Sequence, residues 1–337
     1  MPSSRLLIDC QALEERFHAL GRTIMPMVKG NGYGLGAFEL ASFYDRLGVP
    51  FVGVAHVEEA IHLRERGYTS PIFALTCSDP KWASIYNITL ALNSLDEAKR
   101  LHTIGRKVDV HLQLDLGLNR LGFTREEAYA ALPFIHQSPY LNLEGVMSHF
   151  GSGGVAEAVE FEEFVRVLRP KWVHMASTKS INESLPSCNM VRLGFGLFCG
   201  LTLESYVIGL KRCQAGARVG YIGEYVQRER MLAILSIGYH DGLHLAYSGK
   251  GYVLFGEQRA PYIANIYMDF LTVDVTGIDV QVGDRAEIFG PQLPLEEVAR
   301  CGAVNPRQLL CCLGPRVKRE YVNIRESLGT GKAHCAT

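Results

Sequence analysis

No stretch of this sequence approaches the roughly 18 unbroken apolar residues that a membrane-crossing helix needs. The longest candidate, LGFGLFCG at 193–200, is short and broken by glycines. The opening MPSSRLLIDCQALEERF lacks the apolar core of a secretory signal and meets charge at once, so a cytoplasmic protein is expected, without a membrane partner. Nor does one sign of charge dominate. The 34 Lys and Arg are balanced by 35 Asp and Glu, which argues against a nucleic-acid binder relying on phosphate contacts. No two cysteines are spaced C-x-x-C. The nine are scattered, with one adjacent pair at Cys311 and Cys312, and read as free thiols rather than a disulfide framework or a zinc site. No metal is expected. His240 and His244 stand four apart, but nothing marks their segment as helical, so they read as surface residues. No repeat of solenoid period is visible.

What is present is a regular alternation. Short apolar runs occur at TIMPMV, PFVGVA, PIFAL, ITLALN, VDVHLQLDL, LNLEGVMSH, WVHMAS and MVRLGFGLF. Helical patterning separates them, as in Phe161, Phe164, Val165 and Leu168 at i, i+3, i+4 and i+7. The runs are continuous rather than alternating, as parallel strands covered on both faces should be. Eight of them predict an α/β fold with a (β/α)8 TIM-type barrel; a doubly wound sheet is the alternative. The barrel strands begin near residue 20, and the barrel domain is assigned to 1–204. From 205 to 337 the texture becomes mainly β. GYVLFGEQRAPYI reads as two strands around Gly256, Leu271 to Thr276 alternates like a half-buried strand, and VGDRAEIFG adds a turn and a strand. The end, GTGKAHCAT, reads as a frayed tail and lacks the spacing of a phosphate loop.

In such a barrel the active site lies at the carboxyl ends of the strands. Polar residues falling there are Lys29, Asn93, Asp115, Arg120, His149, Thr178 and Arg192. Lys29 is the sharpest candidate, because the apolar run TIMPMV ends in it and Gly-Asn-Gly-Tyr-Gly-Leu-Gly follows. It is either a strand-end lysine reaching for water or a desolvated amine able to form a Schiff base. Gly32-x-Gly34-x-x-Ala37 is a loose dinucleotide fingerprint, weak in so glycine-rich a stretch. His149 has the commoner reading of a satisfied core histidine. Arg120 and Arg192 sit among apolar residues and glycines, and an arginine buried there needs an anionic, carboxylate or aromatic partner.

MVKGNGYGLG, RLGFGLFCG, SIGYHDG and NIYMDF, in that order, make the chain resemble the fold-type III, pyridoxal-phosphate-dependent alanine racemases over nearly its whole length. The resemblance implies a (β/α)8 barrel followed by a β domain that carries a second catalytic base. It implies that Lys29 holds pyridoxal 5'-phosphate and serves as one base, with Tyr239 the opposite one. Arg120 would face the substrate carboxylate. Arg192 would contact the pyridine nitrogen, with His149 bonding nearby. Tyr33, Thr178, Gly194 and Phe195 would cradle the phosphate. Met268 and Asp269 would line the site beside Tyr239, and these three would reach it from a partner subunit, which implies a homodimer with shared active sites. The implied activity is interconversion of L- and D-alanine, an isomerase step of D-alanine biosynthesis. Two departures point to a wider pocket. Gln113 stands where the family has a lysine, often carbamylated, and Pro315 where it has a tyrosine. A racemase taking serine or other small amino acids is therefore an alternative. A related-fold decarboxylase and a non-catalytic pyridoxal-phosphate-binding protein are further ones.

Overall fold

The computed structural model describes residues 4–149, 155–175, 187–221 and 223–324. Thr178 and the tail from 325 lie outside them. The chain forms two compact units: residues 17–197, and the residues up to Arg16 together with those from Phe198 onward. The first strand, β1 (Arg5–Asp9), is therefore part of the second unit, whereas the sequence assigns it to the barrel domain.

All eight apolar runs become parallel strands of the first unit. These are β2 (Ile24–Pro26), β3 (Val52–His56), β4 (Ile72–Thr76), β5 (Thr89–Leu92), β6 (Val108–Gln113), β7 (Leu141–Met147), β8 (Trp172–His174) and β9 (Val191–Leu193). Strands β3 to β8 pair in chain order, β2 pairs with β9, and a bridge from Met27 to Gly53 joins β2 to β3. The amides of Asn189 and Met190 donate to Val173 O and link β8 to the approach of β9, which closes the barrel. Gly53 allows the joint, since a Cβ there would lie 2.3 Å from Met27 Sδ. The interior is partly apolar, with Met25, Met27, Phe51, Phe73, Met147 and Met190 packed together, each such side chain worth about 1.5–3 kcal/mol when buried. It is also partly polar, since His111, Gln113, Ser148, His174 and Arg192 are all buried. The helix Val155–Leu168 covers the barrel with Phe161, Phe164 and Val165, as its spacing predicts.

In the second unit β10 (Leu201–Cys213) is the long central strand. Its first half pairs antiparallel with β1 and with β17 (Arg285–Phe289). After an irregularity between Val207 and Gly209 its second half pairs with β13 (Arg230–Leu235). A bulge of this kind bends a strand so that it serves two sheets. The small pair β11 (Arg218–Val219) and β12 (Glu224–Tyr225) precedes β13. The strands β14 (Tyr252–Phe255) and β15 (Gln258–Pro261) form the expected hairpin. The strand β16 (Leu271–Asp274) pairs with β13, but all four of its residues are buried rather than alternating. Asp274 tolerates this because Arg230 NH1, at 2.5 Å, and Thr276 satisfy its carboxylate. The last strand, β18 (Lys318–Val322), pairs parallel with β1.

Candidate active site

Strand β2 delivers Lys29, partly buried, one residue past Val28. The backbone then turns left-handed for four residues: Gly30 (φ 61°), Asn31 (φ 51°), Gly32 (φ 64°) and Tyr33 (φ 56°). L-residues pay roughly 1–2 kcal/mol each for this conformation, and glycine and asparagine pay least. That is the physical use of the glycine-rich stretch. Gly32 N donates to Val28 O (2.7 Å) and Gly34 N to Gly30 O (3.0 Å), which closes the turn beneath Lys29. Glu59, from the helix Val57–Glu65, braces it by accepting from Gly30 N at 2.6 Å. Tyr33, the one member with neither glycine's freedom nor asparagine's tolerance, is held against Gly194. A Cβ on Gly194 would lie 2.1 Å from the Tyr33 hydroxyl. Phe195 follows in the 3-10 turn Phe195–Leu197.

Strand β9 carries Arg192, which is buried. Its NH1 donates to His174 Nδ1 and to His174 O (2.8 Å), and its NH2 to Ser148 O (2.6 Å), with His149 Nδ1 at 3.4 Å. These contacts use both amino groups and leave Nε–H as the donor not engaged in them. Burial pushes the Arg192 guanidinium down to about 10, with Arg120 adding to the fall, so it stays charged at neutral pH. His149 is pushed down to about 4, first by burial and then by the positive charges of Arg192, Arg120 and Lys29. The charges of those three cations therefore act together on one neutral imidazole. Arg120 itself is exposed, which corrects the expectation of a buried arginine in need of a partner. Its loop is fixed through the backbone. Asp115 accepts from the amides of Asn119 (3.0 Å) and Arg120 (2.8 Å), and Gln113 Nε2 donates to Leu121 O (2.6 Å).

Tyr239, Met268 and Asp269 come together in the other unit. Tyr239 N donates to Tyr267 O (2.9 Å) and His240 N to Met268 O (3.0 Å). Gly238 permits the approach, since a Cβ there would lie 2.4 Å from both Tyr267 O and Met268 O. Arg316 ties the group by ion pairs to Asp241 (2.9 Å) and Asp269 (2.7 Å). Tyr239, Met268, Phe270, Tyr221 and Tyr225 are all exposed. Sequence reasoning passed over Glu59, Asp241, Arg316, His111, His174 and Glu144. An acid or histidine within a helix or an apolar strand carries no local mark of what it will touch. Among the described residues, no cluster of His, Cys, Asp and Glu could hold a metal ion. No helix among them is long and apolar enough to cross a membrane.

A closed parallel barrel with a lysine at the end of its first strand, above a left-handed glycine turn, and a buried arginine on its last strand is the class of protein that the fold and site define. The comparisons agree. Residues 5–201 match the alanine racemase N-terminal domain and residues 200–321 the alanine racemase C-terminal domain. The alanine racemase of Geobacter sulfurreducens is 30% identical, covering 94% of this chain and 96% of that one. The alanine racemase of Desulfovibrio desulfuricans is 33% identical, covering 90% and 92%. The crystal structure of alanine racemase from Bartonella henselae with covalently bound pyridoxal phosphate is 27% identical over 96% of this chain and 100% of that one, with a TM-score of 0.84. The chain belongs to the alanine racemase family.

Proposed function

We propose that the protein is a pyridoxal-phosphate-dependent alanine racemase that interconverts L- and D-alanine by two-base proton transfer. The observation that carries this reading is Arg192, a buried guanidinium whose amino groups are held by His174 and Ser148 and whose charge, with those of Lys29 and Arg120, keeps His149 neutral. A guanidinium cannot give up its proton to a pyridine nitrogen, so it can only donate a hydrogen bond. That suits racemisation and disfavours the decarboxylase alternative, whose chemistry calls for an acidic partner at that nitrogen.

When bound, pyridoxal phosphate supplies the sink for the electron pair left at the α-carbon. Lys29 Nζ would hold the cofactor and move a proton at one face of that carbon. Tyr239 Oη of the partner subunit would move one at the other face, and two bases on opposite faces suffice to invert the centre. Arg120 would hold the substrate carboxylate. Tyr33, Thr178, Gly194 and the backbone of Phe195 would receive the phosphate, and Met268 and Asp269 would line the site beside Tyr239. The exposed aromatic face around Tyr239 supports a homodimer with shared sites, since a second copy would cover it. Chiral chromatography after incubation with L-alanine and, separately, L-serine tests the reading. Racemised alanine is expected, and serine turnover would reveal the broader specificity that Pro315 and Gln113 imply. Unchanged L-alanine with a cofactor-loaded protein would overturn it.

A further inference from the structure

Among the described residues Arg192 has no carboxylate in contact. Its acceptors are the His174 ring, two carbonyls and, at 3.4 Å, His149 Nδ1. Behind that ring, His174 Nε2 lies 2.7 Å from His111 Nδ1, and His111 Nε2 lies 3.5 Å from Glu144 Oε1. His111 and His174 are fully buried and sheathed by Phe51 and Phe73. Room for the His111 ring comes from Gly145, where a Cβ would lie 2.5 Å from His111 Cγ. Glu144 borders a cavity of about 250 Å³ that is also lined by Pro50, Pro71, Asp109, Lys171 and Trp172. Those residues begin the barrel strands, so the cavity lies at the end opposite Lys29.

The direction of each bond is forced. A guanidinium has donors only, so His174 Nδ1 must accept. His174, if neutral, then carries its proton on Nε2 and donates to His111 Nδ1. His111 in turn carries its proton on Nε2, a buried donor with no hydrogen-bond partner among the described residues, and the Glu144 Oε1 carboxylate oxygen lies 3.5 Å from it. Burial holds both imidazoles toward the neutral form. Protonating His174 at Nδ1 would set two donors face to face. We infer that His174, His111 and Glu144 are positioning residues: the two imidazoles form a one-way hydrogen-bond chain whose last N–H faces the Glu144 carboxylate, and the three orient Arg192 from the far end of the barrel. The tautomers stand on geometry alone; the consequence for the cofactor rests on the reading of Arg192 given above.

The test is the nitrogen spectrum of 15N-histidine-labelled protein near neutral pH, with and without pyridoxal phosphate. His111 and His174 are each expected neutral and protonated at Nε2. A cationic ring or an Nδ1–H tautomer at either position, in both preparations, would overturn the chain. Transmission is tested with Glu144→Gln and Glu144→Leu. The glutamine, whose oxygen can still face the His111 Nε2–H, is expected to keep both signals. The leucine is expected to lose the single Nε2–H state of His111 and to move the His174 signal, although Glu144 does not touch His174. A His174 signal identical in wild type and Glu144→Leu would sink the proposal. A protein with the expected tautomers that does not racemise alanine would instead count against the proposed function.

Discussion

Lys29 and Arg192 were legible because each is out of place in its run, a charge ending an apolar strand or interrupting one. Lys29→Ala should leave the fold intact by circular dichroism and abolish the visible absorbance of bound cofactor after dialysis. A retained band would show that another residue holds it. Gly194 is a finer test, since its missing side chain is the space the Tyr33 hydroxyl occupies. Gly194→Ala should displace Tyr33 and weaken cofactor affinity tenfold or more, about 1.4 kcal/mol. Equal affinity by fluorescence titration would detach Tyr33 from the cofactor. Arg120 was legible as a candidate for a reason the structure does not support, because the residue is exposed. His111 and His174 were not legible. In VDVHLQ and WVH they resemble filler, and only the closing of the barrel brings β6, β8 and β9 into hydrogen-bonding reach.

At the scale of elements, the continuous apolar runs became β2 to β9 because a strand covered on both faces needs no polar alternation. Alternation misjudged β16, where Thr272 and Asp274 are both buried and the Asp274 carboxylate is met by Arg230, distant in sequence, and by Thr276. The turn after Lys29 offers a graded prediction. Gly30 and Gly32 share a positive φ, but a Cβ at 30 meets nothing within 4 Å, while one at 32 lies 2.8 Å from Leu40 Cδ1 and 3.2 Å from Ala37 N. Gly30→Ala should therefore cost only the left-handed penalty, about 1–2 kcal/mol. Gly32→Ala should cost that plus the collision. Urea unfolding of the two variants should rank them in this order, and the reverse order would contradict the turn as described.

For the whole molecule, stability should depend on pH through the buried imidazoles. His111, His149 and His174 all have folded values below the ordinary histidine range, about 4 for His149. The unfolded chain therefore binds more protons once pH falls below about 6.5, and stability is lost from there downward. For fully buried His174 the loss is up to about 1.4 kcal/mol per pH unit. Melting temperature should fall between pH 7 and 5, and a flat profile would mean these rings titrate normally. The proposed shared sites make a second prediction. Mixing inactive Lys29→Ala with inactive Tyr239→Phe, with subunit exchange confirmed, should regenerate about a quarter of the sites. No recovered activity would place both bases within one chain. This arrangement was not legible in residue patterns, because nothing local in SIGYHDG reveals which subunit it serves.

The pairing of β1 with β10 and β18 also bears on how the chain is made. At about 5–20 residues per second, the ribosome finishes the partner of Arg5–Asp9 some tens of seconds after releasing that strand. The strand must wait, unpaired and carrying Leu6 and Ile8, until β10 has emerged, and its other edge stays open until β18 follows. During synthesis the barrel residues between can condense while β1 is still open, and the β domain closes only once β18 is free. The nascent chain is then most exposed to wrong partners at β1.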